Sequence, residues 1–388
     1  MTGMLVMVPS VHVVVTRDGQ MWMDDKFVAG LHLFAREWGG PTRVILRKGT
    51  GLLPFSSPVT AADLPGDLRL IDENAAITAD DLRGATVVLG TADDHRQLNL
   101  APLCADAGAR LVYAIEYPLQ TRLAVARLDL ARRPMKLART VQWLLMQELR
   151  LRRALRSADG VQANGFPAMQ AYGGLNGNMC LYLDNRSDRG TMATPPEMQT
   201  RAAWRGPLRI VHAGRLIAMK GTQDLIPTAI ALRDSGVEFR MDIFGAGDMR
   251  QTIIDDLARH ALDGTVQLHE PIDFAIGLVP WMRRNADLFL APHRQSDPSC
   301  SYLEAMGCGV PVLGTDNRMW SELARQSGGG WVMPMGNPDR AAGIIAGLDR
   351  AAIAKASASA LKFAQSHDFH SEFRRRIDHL RQVAALPG

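Results

Sequence analysis

Residues 288–314 read LFLAPHRQSDPSCSYLEAMGCGVPVLG, and their reading decides the fold. Leu288–Ala291 is an apolar run of strand length, a polar loop follows, a short helix opens near Ser299–Ser301, Gly309 closes it, and Val310–Gly314 starts a second apolar strand. A strand, helix and strand in such short order make a parallel crossover unit. The helix start offers free N–H groups and the positive end of its dipole, a site suited to phosphate oxygens or sugar hydroxyls. Glu304 lies one turn inside. A carboxylate so close to two apolar strands needs a partner, and a ribose diol can donate to both of its oxygens.

The same alternation extends outward in both directions. Upstream lie strands at Leu208–His212, Glu238–Phe244 and Val266–Leu268 with a helix at Thr222–Asp234, and downstream a strand at Gly330–Met333. The first strand runs into Ala213-Gly214-Arg215-Leu216 and then Met219-Lys220-Gly221. Ligands of doubly wound sheets bind at the carboxyl ends of the strands, so Arg215 and Lys220 are expected on that rim, where two fixed cations suit a diphosphate. Phe244-Gly245-Ala246-Gly247-Asp248-Met249-Arg250 begins like a dinucleotide fingerprint, but Arg250 holds the third glycine position. A glycine turn that brings backbone close to a base or ribose, or makes a tight corner, fits better.

The first half repeats the pattern with apolar runs at Val11–Val15, Arg43–Leu46, Leu68–Ile71, Ala85–Leu89 and Ala109–Ile115 and a helix at Asp25–Trp38. The polar, proline-containing segment Asn185–Pro207 shows neither period and reads as the interdomain connection. Phe369, Phe373, Ile377, Leu380 and Val383 place a helix over Ser366–Ala385, beyond the last strand.

With 388 residues, 47% hydrophobic and 22% charged, the chain is too long for one ordinary core and too apolar for a disordered or disulfide-stapled one. Cys104, Cys180, Cys300 and Cys308 form no CxxC pair, which predicts reduced thiols and no zinc. No run is long enough to span a membrane and the first residues lack signal-peptide features, so a cytoplasmic protein is expected. A net charge of +4 does not mark a nucleic-acid binder. Yet ten Arg and Lys between Arg122 and Arg156, interleaved with leucines, Trp143 and Met146, face only Asp129 and Glu148. That combination suits an anionic membrane surface, or a long helix whose arginine stems cover its own domain.

Taken together, Gly214-Arg215, Lys220-Gly221, Gly245-Ala246-Gly247, Leu303-Glu304-Ala305-Met306 and Gly309-Val310-Pro311-Val312 resemble, in order and spacing, the C-terminal domain of retaining GT-B glycosyltransferases of family 4. The likeness covers about Leu208 to Arg350. It implies an α/β fold of two doubly wound Rossmann-like domains facing each other across a cleft. Residues 1–190 would be the acceptor domain, 191–206 a linker, 207–365 the nucleotide-sugar domain, and 366–388 a helix crossing back to the first domain. Arg215 and Lys220 would hold the donor diphosphate and Glu304 the ribose. Gly214, Gly245 and the backbone of Ser299, Cys300, Ser301, Tyr302 and Leu303 would complete the site for a UDP- or GDP-sugar, with neither metal nor cofactor. The acceptor would be a sugar or a lipid-linked sugar.

Two positions depart from the pattern. Ser296 stands where the family has its first Glu, with Asp297 beside it, and Glu116 follows a central strand where His is usual. Asp297 and Glu116 are therefore candidate catalytic groups. The loop Thr16–Trp22 lacks the usual glycine pair, and Asp24, Asp25, Asp93, Asp94 and His95 read as caps or loop residues. A nucleotide-sugar epimerase using Asp297 and Glu116 as acid and base, or a non-catalytic nucleotide-sugar binder, would share the diphosphate site.

Overall fold

Strand Leu288–Ala291 is wholly apolar and buried, and Leu208–Ala213 is buried from Ile210 onward, as expected of central strands in a parallel sheet. The structure, a computed structural model, describes residues 3–51 and 56–386. Its contacts divide the chain into two units, one of Met1–Gln120, Ala138–Tyr182 and His370–Gly388, the other of Thr121–Leu137 and Leu183–Phe369.

The second unit holds a six-stranded parallel sheet. In spatial order its strands are Val266–His269, Phe239–Phe244, Leu208–Ala213, Leu288–Ala291, Val312–Thr315 and Gly330–Met333, the 3-2-1-4-5-6 order of a dinucleotide-type doubly wound domain. Strand order reverses between the first and fourth strands, and this switch point is where the loops after them open.

In the first unit, seven parallel strands run in the order Met179–Tyr182, Gly160–Asn164, Arg110–Ile115, Ala85–Thr91, Met4–Met7, Thr42–Lys48 and Asp67–Ile71. A hairpin of His12–Val15 and Met21–Asp24, extended by Ser56–Val59, completes the sheet. Thr16–Trp22 is thus not a plain loop after the first strand: Met4–Met7 is that strand, and Met21 and Trp22 pair back on Val15 and Val14. Helix Asp25–Trp38 starts at Asp24, whose carboxylate accepts from the Phe27 N–H at 2.8 Å.

Two segments differ from their sequence reading. Asn185–Pro207 contains a helix, Pro195–Ala202, opened by a Thr194/Glu197 capping box with proline at its start. Glu197 also pairs with Arg283 at 2.6 Å, and the buried Arg201 donates to the Cys308 carbonyl at 2.7 Å, so this segment is an integral layer of the second unit. The basic stretch is two helices, Leu119–Leu130 and Pro134–Ser157, because Pro134 cannot continue the first. Helix Arg350–Ser366 belongs to the second unit, whereas Phe369–Ala384 packs almost wholly in the first, with Ile377, Leu380 and Val383 fully buried.

Candidate active site

Gly221, at φ +73°, ends the 3-10 turn Ala218–Lys220, and any side chain there would overlap the Pro292 carbonyl. The loops after the first and fourth strands can therefore lie backbone to backbone, joined where the Arg294 N–H donates to the Met219 carbonyl at 3.0 Å. This contact carries Lys220 under the second loop. Its ammonium donates to Asp297 Oδ2 at 2.5 Å and to Ser299 Oγ at 3.0 Å, and Ser299 in turn bonds Ser301 Oγ at 2.7 Å. Arg294 grips Asp224 through two bonds and fixes the loop from the other side.

Around this pair several polar atoms are buried with no hydrogen-bond partner among the described residues: His293 Nδ1, Asp297 Oδ1 and both amide atoms of Gln295. His293 Nδ1 is 3.8 Å from Asp297 Oδ1. Each unsatisfied group costs about 1–3 kcal/mol, a penalty retained at sites where a ligand will satisfy it. Burial, then Lys220 and His212, hold the His293 imidazole well below its ordinary pKa. Burial likewise brings His212 down to about 4, and this ring bonds the Leu290 carbonyl at 2.9 Å through Nδ1. Both rings are neutral at physiological pH, so Lys220 is the site's buried cation.

Helix Cys300–Gly307 begins at Ser299, whose hydroxyl is committed to Lys220 and Ser301 and makes no cap bond. Tyr302 and Leu303 turn their side chains into the core, with the Tyr302 hydroxyl accepting from Asn317 at 3.1 Å, so they can serve a ligand only through backbone. Arg215 projects into solvent and makes no hydrogen bond from its side chain among the described residues. Beside it, Gly245 and Gly247 are required by close approach: a side chain on the first would overlap the Gly214 carbonyl, and one on the second the Leu216 carbonyl. The glycine turn is thus a tight corner between two loops, sealed by the Leu216 N–H donating to the Ala246 carbonyl at 2.8 Å. Arg250, at the third glycine position, donates to the Gly245 and His269 carbonyls.

Glu304 is 5% exposed and has a protein partner that sequence reasoning missed. Arg186 forks across it, Nε to Oε1 at 2.7 Å and Nη2 to Oε2 at 3.1 Å, while its guanidinium lies 4.0 Å from the centre of the Phe274 ring. Arg186 sits in the stretch read as a connection, and an arginine without periodic context carries no sequence signal for a carboxylate more than a hundred residues away.

In the first unit, Glu116 accepts from Asn164 Nδ2 at 3.1 Å, and its own N–H, with that of Tyr117, is held by Asp93 at 2.7 and 3.0 Å. Asp94 caps a 3-10 turn and pairs with Arg96, and His95 packs edge-on to Trp143. Asp93 and Asp94 thus order loops. Burial pushes the Cys104 and Cys308 thiols up to about 12 and Cys180 to about 11, so all three stay protonated.

Residues 207–349 match the family description "Glycosyl transferases group 1". This stretch is a group 1 glycosyl transferase domain. It contains Arg215, Lys220, Asp297, Phe274 and Glu304, whereas Arg186 precedes it. The amylovoran biosynthesis glycosyltransferase AmsK of Erwinia amylovora is 28% identical over 173 residues, 41% of this chain and 41% of its own length. A GDP-mannose-dependent phosphatidylinositol dimannoside mannosyltransferase of Mycobacterium tuberculosis is 30% identical over 138 residues, 34% of each chain. The aligned stretch thus spans about two fifths or less of these relatives. Over the whole chain, Anabaena HepE, solved with UDP, superposes with a TM-score of 0.68 at 17% identity, covering 99% of this chain and 100% of that one. That likeness gives the glycosyl transferase domain and the unit preceding it the GT-B fold.

Proposed function

We propose that the protein transfers a sugar from a UDP- or GDP-sugar to an acceptor hydroxyl, with retention at the anomeric carbon, in polysaccharide or glycolipid assembly. The observation that carries this reading is the switch-point site of a group 1 glycosyl transferase domain, where buried Lys220 and helix-start amides meet polar atoms left without partners. Lys220 and Arg215 bind the diphosphate and offset the charge that develops on it as the anomeric C–O bond breaks. The acceptor oxygen bonds to the anomeric carbon from the same face and its proton passes to the departing phosphate, so neither protein nucleophile nor metal is called on. Glu304 receives the ribose hydroxyls. Asp297 holds Lys220 in place and turns its second oxygen, with His293 and Gln295, to sugar hydroxyls. Glu116, oriented by Asn164, serves the acceptor side.

The relatives support a donor base of uracil or guanine and an acceptor in surface-polysaccharide or lipid-linked assembly, since HepE was solved with UDP, the mannosyltransferase is GDP-mannose-dependent and AmsK acts in amylovoran biosynthesis. Among the described residues no helix is long and apolar enough to cross a membrane. We place the protein peripherally on the cytoplasmic face through helix Pro134–Ser157. The test is nucleoside-diphosphate release from a panel of UDP- and GDP-sugars with and without a lipid extract, followed by NMR of the new anomeric bond. Extract-dependent release from one donor, lost in Arg215→Ala, is expected. Conversion of the sugar without acceptor would replace transfer by epimerisation, and a rise in melting temperature without turnover would leave a binding protein.

A further inference from the structure

Glu304 enters its site already fork-bonded, and the residue that does this lies outside the matched glycosyl transferase stretch. Resting on the reading that Glu304 receives the ribose, we propose that Arg186 is a positioning residue for donor recognition, which presents the Glu304 carboxylate, fixed in plane, to the ribose diol. A carboxylate 5% exposed needs hydrogen-bonding partners to replace water, and the bidentate guanidinium supplies two N–H donors while leaving an acceptor lone pair on each oxygen. The side chain of Arg186 is itself held from two directions, by the carboxylate and by the Phe274 ring stacked 4.0 Å away. A guanidinium fixed in this way sets the rotation of the carboxylate about its last torsion, and that rotation decides whether both ribose hydroxyls find an oxygen at once. Lysine could neutralise Glu304 but could not set that plane, because an ammonium is a point charge.

The experiment is calorimetric titration of the full chain with UDP, GDP and their 2′,3′-dideoxy counterparts, in wild type, Arg186→Ala, Arg186→Lys and Glu304→Gln. Wild type is expected to prefer the ribose form of one base by about tenfold or more, the range of a charge-assisted hydrogen bond. In Arg186→Ala and Glu304→Gln that preference should collapse toward one while affinity for the dideoxy form is kept. Arg186→Lys should retain affinity for the dideoxy form and lose most of the preference, which carries the test even if the alanine variant fails to fold. A structural role alone would weaken both forms equally. The proposal is overturned if the ribose preference survives in Arg186→Lys yet vanishes in Glu304→Gln. If Glu304→Gln keeps the preference, or wild type shows none or binds neither base, the reading of Glu304 falls and the role of Arg186 with it.

Discussion

Lys220 and Asp297 form a nearly buried ion pair, and the strength of such pairs lies in what their loss exposes. Lys220→Ala leaves Asp297 buried without its cation, and urea unfolding should show a loss of about 3–5 kcal/mol. Lys220→Met combined with Asp297→Asn should recover most of that stability without recovering donor turnover. A double variant that releases nucleoside diphosphate at the wild-type rate would remove Lys220 from the proposed mechanism. The two buried imidazoles give a second prediction. Folding lowers the His212 pKa from 6.5 to about 4 and holds that of His293 well below its ordinary value, so below pH 6.5 the unfolded chain takes up protons that the folded one does not. Stability is whole above pH 6.5 and falls as pH drops toward about 4. Melting temperatures across that window should decline, and less steeply in His212→Asn, whose amide can still donate toward Leu290. The placement of Arg215 and Lys220 after the first strand and of Glu304 in the helix after the fourth was legible in the sequence, because each lies a short offset from an apolar run. Arg186 was not, because an ion pair across the fold leaves no local trace.

Two helices carry predictions of their own. Along Pro134–Ser157, Arg139, Gln142, Met146, Leu149 and Arg153 are exposed at spacings of three and four, which puts them on one face, flanked by exposed Trp143 and Leu145. The one acid of Ala138–Ser157, Glu148, is turned inward and bonded to Arg152 and Tyr172. The outward face is therefore cationic and apolar without a compensating carboxylate, the chemistry of an anionic lipid surface. Co-sedimentation with phosphatidylglycerol vesicles should be salt-sensitive, and Arg139→Ser with Arg153→Ser should weaken it roughly thirtyfold, at about 1 kcal/mol per cation. Equal binding to neutral phosphatidylcholine would sink the electrostatic part. In helix Pro195–Ala202, Glu197 is raised by burial but lowered more by Arg283 and the Thr194 cap, to about 2. Its contribution is present above about pH 4.5 and lost as pH falls toward 2, so the acid-unfolding midpoint should rise in Glu197→Gln relative to a variant that removes an unpaired surface acid. The T-P-P-E pattern at Thr194–Glu197 was a readable helix start, and the polar composition around it concealed the element.

At the scale of the molecule, the chain completes its first unit only at its end. Phe373 meets the Phe34 ring at 5.2 Å, Arg376 stacks over Tyr182 and bonds Gln162, and Ile377, Leu380 and Val383 are fully buried. Deleting residues from 370 onward uncovers that surface. The truncated chain should lose its first-unit transition in denaturant and aggregate, while the unfolding of the second unit is retained; full solubility with two intact transitions would show the helix to be dispensable. What the sequence by itself determined was the alternation of strand and helix, the glycosyl transferase motifs of the second half and the helix that closes the chain, since periodicity and glycine placement act over a few residues. Only the tertiary structure decided the strand order that sets the switch point, the passage of Thr121–Leu137 and Leu183–Gly206 into the second unit, and the pairing of Lys220 with Asp297 and Arg186 with Glu304. Those contacts depend on which distant segments a buried charge meets, and the need to neutralise a charge on burial specifies a partner's chemistry without specifying its position in the chain.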